Sequence, residues 1–301
     1  MPEKKVHTYA YYPGCSLEAT SKQYDISLRA VAPVLGIELK EIEDWNCCGA
    51  SAYFSSDQIL GFALAARNLV LAEKMGLDIL APCAACYAVL KKANNYFKDD
   101  PKVEKEVNEA LASAGLKYTG GAKVKHLLEV LVNDFDRKEI TDIIVNRLNG
   151  IKLAPYYGCM VVRPTPSFDD PWLPTTMDTL LTDLGATVVD YPLKTKCCGG
   201  TFISTHEEIA LRLVHNLLRN AVDNGADAIV TICPLCQFNL DNYQDKINKM
   251  FDDNIKIPIV YLSQIMGIAL GLKPEELGLD KHAVRFEPAL VASSKMEAGN
   301  A

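Results

Sequence analysis

Apolar residues along this 301-residue chain fall into short continuous runs that alternate with longer amphipathic stretches. Short apolar runs bounded by turn residues predict buried strands, and the longer stretches predict helices. Val6–Tyr11 reads as a strand, and about Ser21–Leu35 as a helix that closes at Gly36. A second strand, Ile37–Ile42, precedes a long amphipathic helix over about Asp57–Met75, closed by Gly76. A third, Leu77–Ala81, runs into a further helix. The same succession then returns: Ile151–Pro155, about Thr175–Leu184 ending at Gly185, Thr187–Tyr191, about His206–Asn224 ending at Gly225, and Ala228–Ile232. Val124–Val130 and Ile259–Ile265 also resemble each other, with His126 aligned on Tyr261. Strands alternating with helices predict parallel sheets with helices on their faces. The expected fold is therefore α/β, with two pseudo-symmetric repeats, residues 1–150 and 151–301, each a parallel sheet flanked by helices. The seam falls near Asn149-Gly150, and residues 281–301, which have no counterpart in the first half, are expected to form a tail or docking arm.

Cysteines sit at matching places in the two halves. Tyr11-Tyr12-Pro13-Gly14-Cys15, Cys47-Cys48-Gly49 and Pro82-Cys83-Ala84-Ala85-Cys86 answer to Tyr156-Tyr157-Gly158-Cys159, Cys197-Cys198-Gly199 and Cys233-Pro234-Leu235-Cys236. Between Cys48 and Cys83 lie 34 residues, and between Cys198 and Cys233 again 34; the preceding intervals are 31 and 37. All ten cysteines belong to the pattern. Each follows a predicted strand, at the carboxyl ends where open α/β sheets build their sites. Cys83 and Cys233 fall at expected helix N-termini, whose exposed N–H groups favour negative charge. Glycines beside the other cysteines let backbone approach a bound group closely.

Clustered thiolates are soft ligands that select zinc, copper(I) or iron–sulfur centres. Zinc takes four tetrahedral ligands, often from two Cys-x-x-Cys knuckles. Five thiols per half, two of them adjacent, suit a larger multi-iron group and exceed the four of an ordinary cubane. A purely structural metal site stays open as an alternative. A dithiol redox pair would account for Cys-x-x-Cys but not for the other six cysteines.

Composition narrows the partners. With 49% hydrophobic and 23% charged residues the chain can bury a sizeable core. A net charge of −7 without a Lys/Arg run argues against nucleic acid. No apolar region follows Met1–Lys5, so no secretory signal is expected. The most apolar stretch, Ile59–Ala72, is too short to span a bilayer and carries Arg67. A cytoplasmic protein without a membrane span is the expectation, and its cysteines then speak for metal or redox chemistry over disulfides. No dinucleotide fingerprint, P-loop or cubane-type cysteine run is present. Electrons must come from a partner.

The doubled motif resembles the cysteine-rich CCG-domain family and, within it, the B subunits of CoB–CoM heterodisulfide reductases, over about residues 6–280. The resemblance implies two noncubane [4Fe–4S] clusters. One would be held by Cys15, Cys47, Cys48, Cys83 and Cys86, the other by Cys159, Cys197, Cys198, Cys233 and Cys236. It implies an oxidoreductase that reduces the mixed disulfide of coenzyme M and coenzyme B to two thiols. It also implies two partners in the complex, one a ferredoxin-like iron–sulfur protein and the other a flavin-containing protein, with a hydrogenase or formate dehydrogenase further out. Both coenzymes are anionic, so an acidic protein needs a local cationic pocket. Arg163, just after Cys159, and Lys194 and Lys196, beside Cys197, are the candidates by position; roles as surface charges or cluster counter-ions are equally open. His126 reads as a helix-start residue packed on a neighbour, or as a proton carrier. The paired tyrosines read as wall and core. Two other functions stay open: an electron relay, as in CCG subunits of succinate, glycolate, lactate or thiol:fumarate systems, and a non-enzymatic metal-binding scaffold.

Overall fold

A computed structural model of the chain describes residues 6–50, 53–163 and 167–287. Among these residues the strands sort into two four-stranded sheets, one per half. β1 (His7–Tyr11), β2 (Ile37–Glu41), β3 (Ile79–Leu80) and β4 (Val124–Lys125) lie in the order β2-β1-β3-β4. β5 (Lys152–Tyr156), β6 (Thr187–Val188), β7 (Ala228–Thr231) and β8 (Ile259–Tyr261) repeat it as β6-β5-β7-β8. All pairings are parallel, so every connection is a crossover, and helices supply them. The α/β expectation holds, with the strand carboxyl ends of each sheet on one side.

Sequence explains which strands are central. Ala-Ile-Val-Thr of β7 and Ile-Val-Tyr of β8 are wholly buried, as parallel strands covered on both faces must be. Ile-Glu-Leu-Lys-Glu of β2 lies at an edge with its charges outward, which discourages pairing with another chain. The long helices also start and stop as their sequences dictate. Asp57 accepts the Leu60 N–H at 3.0 Å and so caps the helix Gln58–Met75. The helix Lys22–Leu35 closes at Gly36.

Two strands are shorter than the apolar runs suggest. The second-half run Thr187–Tyr191 pairs only over Thr187–Val188. Beyond it the chain turns, the Lys194 N–H bonding the Tyr191 carbonyl, and the Tyr191 hydroxyl leaves the sheet to donate to the Leu217 carbonyl at 3.0 Å. Leu77–Ala81 likewise contributes only Ile79–Leu80.

The halves share one core, which runs from Tyr9 to Phe286. The first-half helix Lys22–Leu35 packs on the second-half helix Leu262–Ala269, with Ser27 and Ser263 hydroxyls 2.7 Å apart. Residues 281–287 also belong to this core rather than to a free arm. His282 is buried, with Gln237 at 3.0 Å from Nδ1 and the Gln264 amide beside Nε2. The Asp241 carboxylate accepts the Ala283 and Val284 N–H groups at 2.8 and 3.1 Å. The remainder of the expected tail, 288–301, lies outside the described residues. Among the described residues no helix is long and apolar enough to cross a membrane.

Candidate metal centre

Strand ends deliver the ten cysteines as two groups of five. Cys15 and Cys159 follow β1 and β5, the Cys-Cys pairs follow β2 and β6, and Cys83 and Cys233 follow β3 and β7. Cys83 is the N-cap of the helix Ala84–Asp99, and Cys233 that of Pro234–Asn242, as the sequence predicts. Cys86 and Cys236 therefore sit in the first turn, one face in from the cap.

The groups have the same geometry. Cys48 Sγ lies 3.4 Å from Cys86 Sγ, and Cys198 Sγ 3.4 Å from Cys236 Sγ. The Gly49 N–H points at Cys47 Sγ at 3.5 Å and the Gly199 N–H at Cys197 Sγ at 3.3 Å. Tyr12 and Tyr156 hydroxyls each donate at 2.8 Å to the carbonyl just before a Cys-Cys pair, at Asn46 and Lys196. These tyrosines are fully buried and act as struts of the site wall. Gly14 and Gly158 are required: both have positive φ, and a Cβ at either would stand 3.1 Å from the sulfur of Cys86 or Cys236.

Hydrogen bonds among the thiols divide them: Cys47, Cys83, Cys86, Cys159 and Cys236 are pushed up, and Cys48, Cys197 and Cys233 are pushed down. Cys48 is lowered to about 4, chiefly by hydrogen bonds from the Cys47 and Cys86 thiols. Cys197 is lowered to about 6, first by the Cys159 thiol, then by the Gly199 amide and the Arg163 charge. Cys233, buried at a helix start, is held well below the usual thiol range by Cys236 and Cys83. The last pair spans the halves, Cys233 pushing the Cys83 thiol up as Cys83 helps to push Cys233 down.

Among the described residues no three His, Cys, Asp or Glu side chains gather as a single-ion site. The thiols of the second group instead line one cavity of about 250 Å³, together with Met160, Phe202 and Leu235. That is several times the ~30 Å³ share of one water molecule. Five soft donors around a space of this size fit a multi-iron sulfur group better than one ion.

Candidate cations separate on inspection. Arg163 is exposed beside Cys197 and lines a second cavity of about 500 Å³ with Phe54, Lys92, Tyr96 and Met160. Met160 borders both cavities. Lys194 is turned away, bound to Asp178 at 2.8 Å and lying over the Tyr157 ring. Lys196 is exposed, and what the site uses of it is its carbonyl. His126 is buried, and desolvation lowers it to about 4, so the ring takes up no second proton near neutrality and serves as a packed hydrogen-bonding group rather than a proton relay.

Several further residues belong to the site without any cysteine spacing to mark them. Arg67, the lone charge in the apolar part of its helix, reaches the Asp44 backbone and the Asn46 side chain at 3.1 Å, and Asn68 exchanges bonds with Asn46 at 3.0 Å. They brace the loop before Cys47-Cys48; a charge breaking an apolar helix was the available signal. Asn239 does the same for the second loop, donating to the Cys198 and Gly200 carbonyls. Lys92 joins Arg163 from the opposite half, on a stripe of the Cys-x-x-Cys helix that also holds Ala88, Val89 and Tyr96.

Comparison with known proteins agrees with this layout. The chain matches the profile of the cysteine-rich domain CCG over residues 9–91 and 153–241, and the HdrB-like C-terminal domain over 201–283. It is similar to the 8-methylmenaquinol:fumarate reductase membrane anchor subunit of Wolinella succinogenes, 35% identical over 278 residues, 92% of this chain and 96% of that one. It is similar to the B subunit of the ferredoxin/F420H2-dependent CoB-CoM heterodisulfide reductase of Methanosarcina acetivorans, 34% identical over 270 residues, 88% of this chain and 90% of that one. A hypothetical protein from Helicobacter pylori shares the fold, with a TM-score of 0.75 at 17% identity over 95% of this chain; the chain spans about half the length of that structure, 53%.

Proposed function

The chain belongs to the cysteine-rich CCG-domain family, and from that premise we propose that it is the B-type subunit of a heterodisulfide reductase. Each half, 1–150 and 151–301, holds one noncubane [4Fe–4S] group on its five cysteines. The reaction is RS–SR′ + 2 e⁻ + 2 H⁺ → RSH + R′SH, with the mixed disulfide of coenzymes M and B as substrate. The S–S bond breaks, the electrons arrive from a ferredoxin-like iron–sulfur partner and a flavin-containing partner, and the protons come from solvent.

One observation carries this reading. Beside the cavity of about 250 Å³ in which the second group of thiols would hold the metal group lies a larger one of about 500 Å³, and Met160 borders both. A group that only passes electrons needs no such space beside it. When bound, the two iron–sulfur groups would supply one electron each and Lewis-acidic iron for the departing sulfur. The protein's own part is positional. Arg163 and Lys92 orient the anionic ends of the substrate, Met160, Phe202 and Leu235 exclude water, and Gly199 and the two helix starts stabilise charge on sulfur. The Wolinella relative favours a second reading, an electron relay in a fumarate-reducing complex.

Anaerobic iron and sulfide analysis with EPR, before and after adding a coenzyme thiol, separates the readings. About eight irons per chain with a thiol-dependent signal support disulfide reduction. Eight irons with no thiol response support the relay, and stoichiometric zinc sinks both. In turnover assays Arg163→Ala should raise KM for the anionic disulfide about tenfold with kcat nearly unchanged. An uncharged disulfide should show no such effect; an equal effect on both would remove Arg163 from substrate recognition.

A further inference from the structure

One imidazole stands between the two cysteine groups. His126 begins the helix Leu127–Asn133, where its Nδ1 accepts the Leu128 N–H at 3.1 Å. The ring proton is therefore on Nε2. That Nε2 lies 2.7 Å from the Pro82 carbonyl and 3.2 Å from the Ile232 carbonyl. Pro82 and Ile232 immediately precede Cys83 and Cys233, the caps of the two Cys-x-x-Cys helices. The Tyr24 hydroxyl spans the same two carbonyls at 3.1 and 3.5 Å. Tyr24 in turn stacks on Tyr261 at 4.1 Å and 6° between planes. Tyr261 is the second-half counterpart of His126, but its hydroxyl turns aside to Gln237 at 3.2 Å. The pseudo-symmetry of the halves is broken at this point, and the imidazole that bridges them comes from the first half.

We propose that His126 is a positioning residue that sets the separation of Cys83 and Cys233, and with it the electronic exchange between the two metal groups. The inference rests on the iron–sulfur reading above. A donor shared by two carbonyls from different halves resists their moving apart, because separation breaks a buried bridge that the longer Tyr24 contacts, at 3.1 and 3.5 Å, replace only in part. Since Cys83 and Cys233 follow those carbonyls directly, a shift of the carbonyls is a shift of the two inner ligands. Gating of a two-electron reaction by this distance needs no change in substrate binding.

The test compares wild-type holoprotein with His126→Leu, which removes the donor, and His126→Gln, whose amide nitrogen can restore it near the Nε2 position. Iron and sulfide content reads whether the metal groups are present; EPR-monitored redox titration reads their potentials and the magnetic interaction between them. Wild-type iron in His126→Leu, with a weakened interaction, kcat lower on the order of tenfold, unchanged KM and recovery in His126→Gln, is the expected result. Full loading with unchanged interaction and potentials would overturn it. Should His126→Leu fail to load, Tyr24→Phe, which removes the companion hydroxyl, must weaken the interaction to a smaller degree; an unchanged interaction there overturns the proposal as well. Absence of iron from the wild-type protein would instead strike the iron–sulfur reading itself.

Discussion

Cys233→Ala/Cys236→Ala will lower iron from about eight to about four atoms per chain and cut disulfide reduction by more than about a thousandfold. The substitution leaves three thiols in the second group, fewer than any four-iron sulfur group ordinarily uses. It also removes the two that sit at the helix start, where the backbone N–H groups of Leu235 and Cys236 help hold Cys233 negative. The fold should survive. Both side chains are buried but small, and their truncation costs on the order of 2 kcal/mol in total. Cys83→Ala/Cys86→Ala in the first half should behave alike, because a disulfide takes two electrons and the proposed reaction draws one from each half. The measurements are metal content, circular dichroism and turnover on matched preparations. Full turnover after loss of either half's metal would end the proposal that both act together.

Gly199→Ala should be the most damaging single methyl in the molecule's chemistry-bearing loops, at about 3 kcal/mol of stability. Gly199 has φ +86°, where an L side chain is strained by about 1–3 kcal/mol. Its new Cβ would stand 2.9 Å from Ala210 Cβ and 3.0 Å from Ala210 Cα. Those atoms belong to the helix Glu207–Asp223, so backbone must move, at a further cost of about 1–3 kcal/mol. Movement of the loop also takes the Gly199 N–H away from Cys197 Sγ, now 3.3 Å distant, and the second group should bind metal less tightly. Gly76→Ala is the control: it too has positive φ, but nothing lies within 4 Å of its Cβ position. Thermal unfolding should show Gly199→Ala falling by several degrees more than Gly76→Ala. Equal shifts would mean that the contact with Ala210 relaxes without cost.

Local pattern carried most of the architecture. Apolar runs in β7 and β8, helix ends at Gly36 and Asp57, and the placing of Cys83 and Cys233 as caps all follow from interactions within a few residues. Such short-range effects are written into sequence directly. Where the pattern overreached, at Thr187–Tyr191 and at residues 281–287, a contact distant in the chain prevailed: Tyr191 with Leu217, and Ala283 and Val284 with Asp241. Lys194 stood as near to Cys197 in sequence as any candidate but Lys196, yet Asp178 holds it. Lys92 lay unmarked because nothing in its own segment distinguishes it from a solvated helix face.

By itself, then, the sequence determined that two equivalent α/β units would each bring five thiols to the ends of parallel strands, since strand, turn and helix cap are set locally and the motif occurs twice. Only the tertiary structure decided how those units face one another. It put Cys83 beside Cys233, placed His126 between Pro82 and Ile232, and opened a cavity between Lys92 and Arg163. Those relations join residues far apart in the chain, 44 and 106 positions for the two His126 contacts. They depend on side-chain packing between the Lys22–Leu35 and Leu262–Ala269 helices, a fit of shapes that no periodicity in either segment encodes.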